Sequence, residues 1–137
     1  MEAGTPGDHR MSMINLLVPK ILIHLTSSPV CLSAEVLEIT SFPNRNFVVK
    51  IRARLQKKCN FQIRLYYNDG HYDYSYQLFN RGTIARWDNK EDFPNLSTFP
   101  HHFHTENGTV LESLLSGDPL QDFPVVLREI ERIIALF

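Results

Sequence analysis

The stretch Phe47-Val-Val-Lys-Ile-Arg-Ala-Arg-Leu55 decides the fold, because an apolar set and a mainly basic set of side chains alternate along it. One set consists of Phe47, Val49, Ile51, Ala53 and Leu55, and the other of Val48, Lys50, Arg52, Arg54 and Gln56. Successive side chains of a β-strand point to opposite faces, so this period of two residues predicts a strand with one buried face and one basic face.

The sequence that follows predicts further strands joined by tight turns. Phe61 to Tyr67 alternates in the same way and ends at Asn68-Asp69-Gly70, a hairpin turn signal. A second arm, His71 to Phe79, leads through Asn80-Arg81-Gly82 into a short strand, Thr83 to Trp87. Consecutive strands with tight turns form an antiparallel meander. We expect about five strands, spanning Ala34 to Trp87 and extending past Pro100.

Helices are predicted at both ends, which makes the fold class α+β. Apolar residues recur at helical spacing near the C-terminus, at Phe123, Leu127, Ile130, Ile134 and Phe137. This pattern predicts an amphipathic helix, Asp122 to Phe137, packed on one face of the sheet. Near the N-terminus Pro19 interrupts the apolar pattern, so a short helix opening at Pro19 is expected there.

Length and composition favour one folded domain. The 137 residues, 43% hydrophobic and 21% charged, fit a single globular core. We expect a disordered leader over residues 1–12 and one domain over residues 13–137. The net charge of −1 excludes a global attraction to nucleic acid or to an anionic membrane, so any nucleic-acid site is a local patch.

Cysteine content and hydropathy bear on the compartment. Cys31 and Cys59 are too few for a disulfide framework, which is typical of a protein of the reducing cytoplasm. The apolar stretch Ile14 to Leu25 is too short to span a bilayer, and Pro19 and Lys20 interrupt it. We therefore expect a cytoplasmic protein with no membrane partner.

Candidate chemistry is concentrated between Arg86 and His104. Arg86-Trp-Asp-Asn89 ends a predicted strand, and Pro100-His-His-Phe-His104 follows a loop. In an extended segment His102 and His104 project to one face and His101 to the other. Two imidazoles could therefore converge on one phosphate, metal ion or carboxylate.

Three interpretations of this segment stay open. A histidine pair can act as general base and general acid, with Arg86 holding a phosphate and Asp88 orienting an imidazole. Alternatively, His102, His104 and Asp88 match a two-histidine, one-carboxylate metal site. In the third interpretation Arg86 and Asp88 form a structural ion pair and the histidines are surface residues.

Aromatic and basic side chains on the predicted strands allow two interpretations each. The tyrosines could stack on unpaired bases, but a core or interface role is favoured because aromatic residues are common in strands. The basic residues could bind phosphate or form a solvated strand face. The tyrosines are Tyr66, Tyr67, Tyr72, Tyr74 and Tyr76, and the basic residues are Arg52, Arg54, Lys57, Lys58 and Arg64.

Three segments in order, Tyr74-Ser-Tyr-Gln-Leu78, Arg86-Trp-Asp-Asn89 and Phe99-Pro-His-His-Phe-His104, precede the terminal apolar helix. Their residue types and order resemble the TumE-like toxin family of prokaryotic type II toxin-antitoxin modules, over roughly Asn60 to Ile134. The matching positions are Tyr74, Tyr76, Arg86, Asp88, Asn89, Pro100, His101, His102 and His104.

The resemblance implies a toxin paired with an antitoxin, typically a helix-turn-helix DNA-binding protein. It also leads to the expectation of an endoribonuclease that uses histidine acid/base chemistry with no metal or cofactor. The alternative is a non-catalytic regulatory module whose histidine-rich edge contacts a partner chain. A homo-oligomer stays open. The catalytic candidates are Arg86, Asp88, Asn89, His101, His102 and His104, and the substrate-binding candidates are Tyr74, Tyr76, Arg52, Arg54 and Arg64.

Overall fold

A computed structural model describes residues 10–137 and has the predicted α+β class. Its helices and strands are α1 Arg10–Ser27, β1 Cys31–Ser41, β2 Phe47–Leu55, β3 Asn60–Asn68, β4 His71–Phe79, β5 Thr83–Asp88, β6 His102–His104, β7 Val110–Glu112 and α2 Pro119–Ala135. A single 3₁₀ turn, Pro43–Arg45, joins β1 to β2. None of the helices described is long and apolar enough to cross a membrane.

The strands form one antiparallel sheet in sequence order, from β1 at one edge to β7 at the other, which confirms the meander. The β3–β4 turn has positive φ at Asp69 (50°) and Gly70 (89°), as the sequence signal predicted. The prediction of five strands was too low, because the sheet has seven. β6 and β7 have three residues each, too few to reveal an alternating pattern.

The N-terminal helix is longer than predicted. It runs through Pro19 from Arg10, so the prediction of a short helix opening at Pro19 was wrong. A proline inside a helix costs about 3 kcal/mol. Burial of Ile14, Leu17, Ile21 and other apolar side chains outweighs this cost, at about 1.5–3 kcal/mol each. Of the predicted leader, residues 1–9 lie outside the described residues, and the remainder forms the first turn of α1.

The C-terminal helix starts at Pro119, three residues before the predicted start at Asp122. Asp118 is its N-cap, and its side chain accepts a hydrogen bond from the backbone N–H of Leu120 at 3.0 Å. Pro119 follows at the first helical position, where a missing N–H has no cost. Pro124 lies inside the helix, and it does not end the helix because the buried side chains on both sides of it hold it against the sheet.

The two faces of the sheet differ. α1 and α2 pack on one face, where they enclose a core with the inward side chains of β2 to β5, among them Phe47, Phe61 and Tyr76. The opposite face carries polar side chains in rows across the strands. One row pairs Arg64 with Ser75 and Ser75 with Asp88. We call this the open face, and it carries the candidate site.

Candidate active site

Strand pairing brings the predicted site residues together. β5 pairs with β6 so that Arg86 lies opposite His104 and Asp88 opposite His102. Residues two apart on a strand share a face, so all four side chains converge on the open face. The prediction that these residues lie close together is confirmed. We call these four residues the Asp88 cluster.

The carboxylate of Asp88 is the centre of this cluster. Its Oδ2 accepts a hydrogen bond from Arg86 Nε at 2.9 Å. Its Oδ1 lies 2.8 Å from His102 Nε2 and accepts the backbone N–H of Lys90 at 3.1 Å. Asp88 is 7% exposed, so these charge-assisted bonds replace the water that it has lost. The carboxylate therefore fixes the positions of both an arginine and a histidine.

His102 is a buried member of the cluster. Its Nδ1 lies 3.1 Å from the carbonyl oxygen of Pro100, and its Nε2 faces the Asp88 carboxylate. Both of these neighbours are hydrogen-bond acceptors, so each ring nitrogen of His102 faces an oxygen atom. Only 1% of His102 is exposed, so the predicted direct role of His102 on a substrate does not fit this arrangement. In this arrangement its Nε2 contacts the carboxylate of Asp88.

His104 is the histidine that reaches solvent. Its Nε2 lies 3.0 Å from Arg86 Nη2 and 3.3 Å from Asp88 Oδ2. Because a guanidinium has no acceptor, the shorter contact makes Nε2 the acceptor and His104 neutral. Burial, followed by the nearby Arg86 guanidinium, lowers the pKa of His104 below its usual value, although Asp88 opposes this effect. A neutral imidazole beside a guanidinium is a base poised next to an anion-binding group.

Phe93 covers part of the cluster. Its ring lies 4.8 Å from that of His102 and 5.9 Å from that of His104, edge-on in both cases. The segment between β5 and β6 carries this phenylalanine and shields His102 from water. Sequence reasoning missed Phe93, because it lies in an irregular loop without periodicity.

Arg86 borders two open clefts. One, of about 560 Å³, lies between Arg64 and Arg86 and is also lined by Ser75, Gln77 and Asp88. We call it the arginine cleft. The other, of about 400 Å³, lies beside His104 and the turn at Thr105. The Arg86 guanidinium and the His104 imidazole thus lie between two clefts. If a phosphate of a polymeric ligand bound here, the two clefts could hold the ligand segments on either side of it.

Two of the predicted catalytic residues lie outside the cluster. His101 projects to the helix-covered face, where its Nδ1 lies 2.7 Å from the hydroxyl of Tyr74. Asn89 holds the backbone of β4: its Oδ1 accepts the N–H of Tyr74 at 2.9 Å, and its Nδ2 donates to the carbonyl of Tyr72 at 2.8 Å. The side chain of Asn89 is therefore occupied by strand contacts.

The predicted substrate-binding residues separate into two groups. Tyr76 is fully buried and Tyr74 is 3% exposed, so neither presents a ring to a substrate, and the prediction for both does not fit this arrangement. Arg64 lines the arginine cleft. Arg52 and Arg54 lie on β2, one strand further away, and Arg52 donates to the side chain of Gln62.

Three side chains could hold a metal ion. One ligand atom from each of Asp88, His102 and His104 lies within 4.8 Å of the others. A metal would need the Nε2 lone pairs of both imidazoles. Those nitrogens already contact Asp88 and Arg86, so a cation would have to displace the Arg86–His104 bond.

Fold and site define an α+β protein with an arginine, an aspartate and two histidines clustered on the open face of an antiparallel sheet. A family model described as Toxin TumE matches residues 20–134, and the chain belongs to this family. It is thus the toxin of a toxin-antitoxin module, and the family implies a cognate antitoxin. Comparison with curated proteins gave no match, and neither did comparison with solved structures.

Proposed function

We propose that this toxin cleaves RNA, with His104 as the general base and Arg86 as the group that stabilises charge on the phosphate. The observation that carries the proposal is the 3.0 Å contact between Arg86 and a neutral, partly exposed His104, backed by Asp88. Arg86 lines the arginine cleft together with Arg64 and Lys90, and the acidic side chains there are Asp73, Asp88 and Glu91. The guanidinium of Arg86 can form a charge-assisted hydrogen bond with a phosphate even though the whole chain has a net charge of −1.

The reaction is an attack by the ribose 2′-hydroxyl on the adjacent phosphorus. A phosphate that binds the Arg86 guanidinium competes with His104 for it and frees the Nε2 lone pair. Nε2 then takes the 2′-hydroxyl proton as the new 2′-O–P bond forms and the P–O5′ bond breaks. Water protonates the leaving 5′-oxygen. The products are a 2′,3′-cyclic phosphate and a 5′-hydroxyl, while Arg86 stabilises the added charge during attack.

The open face offers a path for the rest of the RNA strand. Arg64 lies opposite Ser75, and Ser75 opposite Asp88, so two strand spacings, about 10 Å, separate Arg64 from the cluster. Arg64 is exposed and lines the arginine cleft. A neighbouring phosphate can therefore bind Arg64 while the reacting phosphate binds Arg86.

The test is cleavage of end-labelled single-stranded RNA by purified protein, with and without a chelator. Wild type, His104→Ala and His24→Ala are compared after circular dichroism shows that each is folded; His24 is an exposed histidine on α1. We expect cleavage by wild type and His24→Ala in chelator, with cyclic phosphate ends, and loss of cleavage in His104→Ala. Equal cleavage by His104→Ala would refute the assigned role of His104.

A metal-dependent nuclease is the second candidate, favoured by the convergence of Asp88, His102 and His104. The bond from His102 Nδ1 to the Pro100 carbonyl is also the kind that orients a metal-binding histidine. In that case a chelator abolishes cleavage, a divalent ion restores it, and a metal-activated water leaves no cyclic phosphate. This outcome would replace the metal-free proposal.

A non-catalytic toxin that acts through a partner chain is the remaining alternative. It predicts growth inhibition in cells without any RNA cleavage by the pure protein, and equal toxicity of wild type and His104→Ala. For the antitoxin, we infer a helix-turn-helix DNA-binding protein, on the strength of the family resemblance, and we infer that the toxin acts in the cytoplasm. Co-expression of the adjacent reading frame, followed by purification of the complex, tests this partner.

A further inference from the structure

A third cleft lies at the end of the sheet, around the β3–β4 turn. It has a volume of about 450 Å³, and we call it the aromatic cleft. Its lining includes Tyr67, Tyr72, His101, Gly117 and Asp118. The side chains come from β3, β4, the segment before β6 and the turn before α2, so the cleft depends on the complete fold.

The aromatic wall of this cleft is prearranged by packing. The rings of Tyr67 and Tyr72 meet edge-on at 5.1 Å. Fully buried Phe47 stacks on Tyr67 at 5.3 Å and contacts Tyr72 edge-on at 6.1 Å. Both tyrosines remain partly exposed, so part of this aromatic surface faces the cleft. A flat ring that binds here costs the protein little conformational freedom, because the wall is already ordered.

Two of the polar side chains that line the cleft, His101 and Asp118, offer a hydrogen-bond donor and an acceptor. The hydroxyl of Tyr74 lies 2.7 Å from His101 Nδ1 and can donate its proton to that nitrogen. The His101 proton is then on Nε2. Asp118 caps α2 through Oδ1, and among the described residues its Oδ2 has no hydrogen-bond partner. The edge of a nucleobase carries complementary acceptors and donors.

The arginine cleft and the aromatic cleft lie on opposite faces of the sheet and share one lining residue at the end of β5. Asn89 lines both the arginine cleft and the aromatic cleft, and it follows Asp88 directly in the chain. Its amide group holds the backbone of β4 on either side of Asp73, through its bonds to Tyr72 and Tyr74. An RNA strand whose phosphate lies in the arginine cleft would therefore have to pass the end of β5 at Asn89 to place one of its bases in the aromatic cleft.

We propose that the aromatic cleft binds one unpaired nucleobase of the RNA, which stacks on Tyr72 and is read by His101 and Asp118. This proposal rests on the proposed function, because the aromatic cleft would supply the base selectivity that the Asp88 cluster lacks. Phosphate contacts position a strand but carry no sequence information, whereas contacts to a base edge do. The cleft would therefore give the cleavage of RNA at the Asp88 cluster a base preference.

The first test measures binding of the four nucleoside 5′-monophosphates by ¹H–¹⁵N NMR, which does not depend on cleavage. We expect shifts of the Gly70 and Gly117 amides, which belong to glycines that line the cleft. Tyr72→Leu keeps an apolar side chain but removes the ring, and should weaken binding by about tenfold. The control is Tyr66→Leu, a half-buried tyrosine on the open face of the same hairpin, which should bind like wild type.

The second test avoids any loss of folding. Asp118→Asn keeps a good helix cap but replaces the charged acceptor, so it should change the base preference of cleavage in a library of RNA sequences. Absence of shifts at the two glycines, or an unchanged base preference in Asp118→Asn, would overturn the base site and leave the nuclease assignment intact. Nucleotide binding at the cleft by a protein that cleaves no RNA would instead overturn only the nuclease assignment.

Discussion

Asp88 and Asp122 are buried carboxylates on opposite faces of one sheet, and their surroundings differ. Asp122 accepts the backbone N–H groups of Ser116 and Gly117, both at 2.8 Å, and the Ser116 hydroxyl at 2.9 Å. All of these donors belong to the turn before α2. Asp88 instead binds the side chains of Arg86 and His102 and a single backbone N–H, that of Lys90, and its Oδ2 lies 3.3 Å from His104 Nε2.

The difference shows what distinguishes a structural carboxylate from one in a candidate active site. Both carboxylates are almost fully buried: Asp88 is 7% exposed and Asp122 is 4% exposed, so burial does not distinguish them. The partners do. The donors of Asp122 are mainly backbone groups that a turn must satisfy, whereas Arg86 is a charged side chain that faces a cleft. We expect Asp122 to stabilise the fold and Asp88 to serve the reaction.

The largest expected effect is the loss of cleavage when His104 is replaced, because His104 is the proposed general base. His104→Ala should lower kcat/KM for RNA cleavage by about 10²–10⁴, the usual contribution of a general base. The melting temperature should change little, because His104 is only partly buried. Single-turnover cleavage and thermal unfolding measure the two quantities. A variant that loses stability and activity together would make His104 a structural residue like Asp122.

The second largest effect on cleavage is expected at Asp88, and the same substitution at Asp122 provides the comparison. Asp88→Asn weakens the bonds that position Arg86, so cleavage should slow by about 10². Asp122→Asn should instead lower the free energy of unfolding by about 1.5–3 kcal/mol, since it loses hydrogen bonds to a charged group. Urea unfolding and cleavage rates are measured on both variants. Equal loss of activity in the two would remove the distinction between the carboxylates.

The sequence predicted the elements with a clear period and the residues that strand pairing must bring together. The alternation in β2 to β4 predicted the buried face, and spacing by two placed His102 and His104 on one face. Burial of His102 was not predictable, because it depends on Phe93 in a loop without periodicity. The start of α2 was missed because the cap at Asp118 and the packing of the helix both outweigh the effect of Pro124.

The pH dependence of cleavage should give a smaller effect. The neutral form of His104 is the base, and burial beside Arg86 lowers its pKa below 6.5, against the opposing charge of Asp88. Activity is therefore present above this pKa and is lost as the pH falls through it. We expect the acidic half-maximum of kcat/KM to lie below pH 6.5. A half-maximum above that value would mean that a different group acts as the base.

The smallest effect concerns two arginines that the sequence could not tell apart. Arg64 lines the arginine cleft, whereas Arg54 lies on β2, opposite Asn60 and further from Asp88. If Arg64 binds one phosphate, Arg64→Gln should reduce the slope of log K against log salt concentration by about 0.7 for single-stranded RNA. It should weaken binding similarly for all sequences, because a phosphate contact carries no base information. Arg54→Gln is the matched control, since it removes the same charge from the same face. Fluorescence anisotropy at several salt concentrations measures both slopes, and equal slopes would mean that the RNA does not follow the path from Arg86 to Arg64.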